Sequence, residues 1–319
     1  MAERDETGPE RHVSAGLVRL VSIACMLAVL FNLALAVYLV FWIVPGRAVA
    51  GYEAELEGLQ REVASLREAL ANAAEPSVGE LHTVHCFGGC PRGAPETNDL
   101  IVREIYTLSS NDETKFADWV AYRVSRDTIG SGRDRVWRRD PWLGLDETLE
   151  PGAYRDANRL LGTDRGHQVP LASFTGTLYW QDTNVLSNIT PQRSELNQGP
   201  WRELEEAVRE LARGGDPVYV VTGPLYRRTM PKLPAATVEH QLPSGYFKIV
   251  IRQQANDIRL AGFILDQETE RSADYCSGLT TVDEVERESG LDMFPRLDEL
   301  EQGALESGVG ALAEALGCG

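Results

Sequence analysis

Residues 163–170 read Thr163-Asp164-Arg165-Gly166-His167-Gln168-Val169-Pro170, and residues 186–192 read Leu186-Ser187-Asn188-Ile189-Thr190-Pro191-Gln192. A third stretch follows, Leu196-Asn197-Gln198-Gly199-Pro200-Trp201, with Glu205 and then Arg209 at four-residue steps beyond Trp201. Proline is tolerated in the first turn of a helix, so Pro200 opens one that continues through Val208 to Ala212. Glu205 and Arg209 then share a helix face by the i,i+4 rule. Together the stretches gather one imidazole, two Asn amides, a helical carboxylate and a guanidinium. Taken alone they admit a plain reading, with Glu205 and Arg209 as a surface ion pair and His167 as a structural histidine beside a turn. The chain has no phosphate-cradling glycine pattern of an NTPase, no zincin helix and no Gly-x-Ser-x-Gly elbow.

Around this centre the chain reads as alternating strands with few helices. Ile101-Val102, Tyr106-Thr107-Leu108 and Trp119 to Val124 alternate about a turn at Asn111-Asp112-Glu113, which predicts a β-hairpin over 100–125. Residues 131–160 are rich in Gly, Asp, Arg and Pro, the composition of a long functional loop. Strand-like runs return at 218–222, 246–251 and 258–265. The expected class is α+β with a central, largely antiparallel sheet flanked by helices.

Charge narrows the function. The 319 residues are 43% apolar and 25% charged, enough for a sizeable core in one ordinary domain or two small ones. With 29 Gly and 16 Pro, the chain is neither collagen-like nor disordered. A net charge of −17 argues against holding nucleic acid by a general basic surface. The charge is uneven, however: residues 250–310 carry −9, whereas 133–213 carry only −2 and hold eleven Arg. The acidic segment is expected to face away from the site.

Residues 21–44 run without a charge, long enough at about 1.5 Å per residue to cross a hydrocarbon core. Tyr38 and Trp42 suit an interfacial belt, and Pro45-Gly46 ends the run. The expectation is a cytoplasmic tail over 1–20, a signal anchor over 21–44 and an extracytoplasmic remainder. Cleavage after Ala48-Val49-Ala50, which would secrete the protein, is the competing reading. Leu56, Leu59, Val63, Leu66 and Leu70 follow at heptad spacing, so 51–75 reads as a coiled-coil or linker helix that could pair two copies through 53–73. The globular domain is expected over 81–319. Beyond the apolar run lie four cysteines, an even number that suits disulfides in an oxidising compartment. Cys86 and Cys90 can close a loop through Gly88-Gly89, and Cys276 with Cys318 would tie back the C-terminal tail. His82, His85, Cys86 and Cys90 could instead bind zinc.

Asp-Arg-Gly-His, an Asn followed by Thr-Pro-Gln, and Leu-Asn-x3-Trp-x3-Glu together resemble the DNA/RNA non-specific endonucleases, the ββα-metal nucleases, and their secreted Serratia nuclease branch in particular. Lys115 to Tyr122, Trp137 with Asp140-Pro141, Val221 to Tyr226 and both cysteine pairs extend the resemblance over residues 85–318. The anchor and heptads have no counterpart in the secreted enzymes.

The resemblance implies a ββα-metal fold and hydrolysis of DNA and RNA phosphodiesters. It makes His167 the general base and Asn197 the one direct protein ligand of Mg²⁺, with Mn²⁺ as a substitute. Glu205, and Asp164 beside it, would hold metal-bound water. Arg135 and Arg209 would stabilise charge on the phosphorus centre. Asn188 would position His167 or the phosphate, and Arg165 would make a phosphate or structural contact. The rival reading is an inactive nucleic-acid-binding or membrane scaffolding protein on the same fold.

Overall fold

The computed structural model describes residues 26–35, 38, 58, 59, 61, 63, 83–255 and 257–319. The chain divides into two compact units, Met1–Glu75 and Pro76–Gly319. In the first, residues 26–35 are helical, and Leu27, Leu30, Phe31 and Leu33 expose their side chains. Among the described residues no helix is long and apolar enough to cross a membrane. The expected tail and most of the anchor and heptad segments lie outside the described residues.

The second unit is built on a seven-stranded antiparallel sheet. In chain order its strands are β1 (Asp99–Val102), β2 (Tyr106–Ser110), β3 (Ala117–Val124), β6 (Val218–Leu225), β7 (Gly245–Gln254), β8 (Asp257–Asp266) and β9 (Leu279–Thr280), and they lie side by side in that order. The expected hairpin over 100–125 is thus a three-stranded meander, because a turn at residues 103–105, closed by Arg103 N donating to Tyr106 O, splits the first run into two strands.

Strand residues alternate between faces, and the sheet buries two cores accordingly. On one face Tyr122, Val124, Val218, Val220, Val250 and Phe263 meet Leu204, Val208, Leu211 and Ala212 of helix α3 (Pro200–Arg213). Those helix positions follow the i, i+4, i+7 spacing of a single buried stripe. On the other face Trp119, Ala121, Val221, Phe247, Ile249 and Ile251 meet Val282 and Val285 of helix α4 (Val282–Ser289). The acidic segment therefore contributes α4 to the face opposite α3, while its Tyr275 and Leu279 pack on the α3 side.

Two disulfides close the unit: Cys86 to Cys90 at a Cα separation of 4.8 Å, and Cys276 to Cys318 at 5.4 Å across 42 positions. Gly88 and Gly89 between the first pair have φ of 61° and 94°, which side chains rarely adopt. This pairing overturns the zinc alternative. Cys86 and Cys90 bind each other, and the His85 ring instead meets Thr107 Oγ1 at 3.0 Å and the Glu104 carbonyl at 3.2 Å.

Candidate active site

Between β3 and β6 the chain leaves the large sheet to form a separate two-stranded ribbon. Helix α1 (Ala157–Leu161) leads into β4 (Thr163–His167), which pairs antiparallel with β5 (Ile189–Arg193). Then follow α2 (Ser194–Gln198) and α3. Tyr246 from β7 anchors this ribbon: its hydroxyl donates to the Pro191 carbonyl at 2.8 Å and accepts from Thr190 at 2.9 Å. The glycine in the Asp-Arg-Gly-His run has a steric reason. A Cβ at Gly166 would lie 2.7 Å from the Gln192 Cβ on the facing strand.

The strand period sorts the motif onto two sides. Arg165 and His167 share one. Trp137, from the long loop, covers both, with its ring centroid 5.2 Å from that of His167 and 5.6 Å from the Arg165 guanidinium carbon. The loop is held there by the backbone of Arg138, which accepts from Leu186 N at 2.9 Å, and by the Arg138–Asp182 ion pair at 2.7 Å. His167 Nε2 lies 3.1 Å from Asn184 Oδ1. Because that oxygen can only accept, the pairing puts the proton on Nε2 and the lone pair on Nδ1. Burial pushes the imidazole pKa down to about 4, and the nearby Arg135 charge adds to the effect against the pull of Asn184. His167 is neutral at pH 7.

Asp164 points to the other side. Asn158 and Ser194 donate to its Oδ1 at 2.8 Å each, while Gln198 and Asn197 donate to Oδ2 at 2.7 and 3.1 Å. Burial opposes its charge, but these four donors together hold the carboxyl below its ordinary range. Asn197 commits its amide nitrogen to Asp164, so its Oδ1 turns the other way.

The third group lies where α3 crosses the large sheet. Glu205 is half-buried, and burial raises its pKa while Lys248, Arg209 and Arg135 pull it down. Lys248 on β7 is fully buried, with Nζ 4.4 Å from the Trp201 ring centroid and 3.3 Å from the Tyr122 hydroxyl. Burial lowers it to about 8, against the attraction of Glu205. Arg209 is buried too, and its ion pair at 2.6 Å is with Glu206, not with Glu205. The surface-pair reading of Glu205 and Arg209 thus falls. Arg135 is exposed, and its charge is felt by both His167 and Glu205, which joins the first group to the third.

Two residues with alternative expected roles make structural contacts. Asn188 is completely buried and its amide is spent on backbone: Oδ1 accepts from Val169 N at 2.8 Å, and Nδ2 donates to the Val169 and Thr183 carbonyls. It braces the chain just beyond His167 and has no surface for a phosphate. Arg165 donates to the Pro151 carbonyl at 2.9 Å and lies over the Tyr154 ring, a structural contact. Asn184 and Lys248 were not singled out from the sequence. A lone Lys within an apolar strand was a signal that could have found the second.

Residues 90–300 match the DNA/RNA non-specific endonuclease family. The chain is 45% identical over 254 residues to a nuclease of Serratia marcescens, covering 78% of this chain and 95% of that protein. It is 29% identical to human mitochondrial endonuclease G over 64% of this chain and 72% of that one. In fold it is similar to a chain of the solved EndoG/EndoGI complex, with a TM-score of 0.55 at 20% identity over 66% of this chain and 90% of that chain. With the motif, the ribbon and the helix in place, this chain belongs to the DNA/RNA non-specific endonuclease family.

Proposed function

We propose that the protein is a membrane-anchored, Mg²⁺-dependent endonuclease that hydrolyses DNA and RNA alike, with His167 as the general base. The observation that carries this reading is a neutral imidazole whose proton is assigned to Nε2 by Asn184 and whose pKa is depressed by burial and by Arg135. Such a group accepts a proton at neutral pH without first having to lose one. Nδ1 takes the proton from the attacking water. Arg135, exposed beside it, binds the phosphate oxygens through its planar fork. Lys248 and Arg209 supply positive charge from inside the protein, where screening by salt is weak.

The residues fit Mg²⁺. Asn197 offers an amide oxygen, and Glu205 is suited to hold bound water. With Asn197 as the one direct ligand, water would complete the shell, in keeping with the reluctance of Mg²⁺ to shed it. When bound, the ion supplies positive charge at the leaving oxygen.

The roles given to these side chains all act on the phosphodiester, which DNA and RNA share, so both would be substrates and affinity would fall as salt rises. Residues 21–44 would anchor the chain, residues 53–73 would pair two copies, and the catalytic unit would be extracytoplasmic. The test is to incubate the purified full chain in detergent with supercoiled plasmid and with yeast RNA in Mg²⁺. Loss of both polymers, blocked by EDTA, is expected. Cleavage of only one, or cleavage in EDTA, overturns the reading. Binding without cleavage would favour the inactive scaffold.

A further inference from the structure

On the face of the sheet opposite the candidate active site, three carboxylates converge without a counter-ion. Asp283 and Glu286 project from α4, three residues apart and so on one side of the helix. Glu306 is the last residue of helix α5 (Glu299–Glu306), whose Leu305 packs into the same core as Val282 and Val285. One carboxylate oxygen from each of the three lies within 4.8 Å of the other two.

Glu306 is the anomaly. It is only 6% exposed, and its Oε1 has no hydrogen-bond partner. It also stands at the C-terminal end of a helix, where the macrodipole disfavours an anion. Gln302 and Glu286 interact with the Glu306 carboxyl, but a buried carboxylate oxygen left without a donor is costly unless a cation or a proton relieves it. The charges acting most strongly on Glu306 are Glu286, Asp283 and Asp292, and no basic side chain is among them.

We propose that Asp283, Glu286 and Glu306 form a Ca²⁺ site that clamps α5 to α4, separate from the candidate active site. The spacing suits the ion. Carboxylate oxygens gathered this closely can share one ion, each binding Ca²⁺ at about 2.4 Å. Three carboxylates supply part of a shell of six to eight oxygens, and the exposed Asp283 leaves an entry path and room for water. Mg²⁺ demands a near-ideal octahedron and gives up its water reluctantly, so ligands that include the buried Glu306 suit it less well. Met293 N, donating to Glu286 Oε1 at 2.6 Å, orients one ligand. Without a cation, burial and then the three acids push the Glu306 carboxyl up to about 7, against a pull from Gln302.

The test follows thermal unfolding of the full chain in detergent, stripped with chelator, with and without 1 mM Ca²⁺ and without nucleic acid. Wild type and Asn197→Ala, which removes the ligand proposed for the other cation, should both gain several degrees in Tm with Ca²⁺. Glu306→Gln should show no gain, yet without Ca²⁺ it should be at least as stable as wild type, because the buried charge is gone. Should Glu306→Gln fail to fold, Asp283→Asn at the exposed edge should likewise lose the Ca²⁺ gain. No Ca²⁺ shift in wild type would overturn the site and leave a shared proton to relieve the cluster. An equal shift in wild type and in the acid variant would place the ion elsewhere.

Discussion

The two faces of the large sheet handle charge differently. Beneath α3, Lys248 and Arg209 are sunk close to Glu205, and the exposed Arg135 acts on Glu205 and His167 together. Beneath α4 and α5, Glu306, Glu286 and Asp283 crowd one another. Within a chain of net charge −17, the candidate site thus gathers three basic side chains, Lys248, Arg209 and Arg135, around Glu205. The global count describes the far side and the surface; the arrangement around Glu205 decides what that site attracts.

The largest effect should come from His167→Ala, lowering single-turnover plasmid cleavage by about 10²–10⁴-fold with nucleic-acid binding retained. A gel-shift assay in Ca²⁺ alongside the rates separates the two. Unchanged turnover would remove His167 from the chemistry. Asn197→Ala should next raise the Mg²⁺ concentration for half-maximal rate by about 10–100-fold; a superimposable metal titration would refute its role as ligand. Breaking the positive cluster itself comes third. Lys248→Met removes the buried cation that acts most strongly on Glu205, so the Mg²⁺ titration should shift and Lys248→Arg should restore part of it. A loss of folding with no such rescue would make Lys248 only a packing residue. The smallest catalytic effect belongs to the C-terminal tail, whose Cys318 packs against the edge of the α3 core. Replacing Cys276 and Cys318 by Ala should cost about 2–4 kcal/mol in denaturant unfolding and leave kcat nearly unchanged; a fall in kcat would show that the tail reaches the site.

The sequence disclosed the parts of this account that depend on local constraint. Gly166 has no room for a side chain, Pro200 starts α3, and the alternation over 218–222, 246–251 and 258–265 marks β6, β7 and β8. Non-local pairing hid the rest. Lys248 sits among apolar strand residues and meets Glu205 only after β7 and α3 pack on one another. Asn184 reaches His167 only because the 180–188 segment folds back across the ribbon. Spacing placed Asn188 and Arg165 near the motif without showing where they point. The turn at Asn188 sends its amide into the backbone of Val169 and Thr183, and Arg165 is captured by the Pro151 carbonyl.

The central claim is that His167 is held neutral by burial and by the positive charge around it. The pH dependence of kcat/KM for plasmid cleavage at saturating Mg²⁺ tests this most directly. The imidazole must be unprotonated to act, and its pKa in the folded chain is about 4, against 6.5 for an unperturbed histidine. The rate should stay on its plateau from neutrality down to about pH 5 and fall only as pH approaches 4. The same shift makes the unfolded chain bind the extra proton first, so stability should decline as pH drops from 6.5 towards 4. An acid limb centred at 6.5 or above, or a profile unchanged in His167→Ala, would contradict the account.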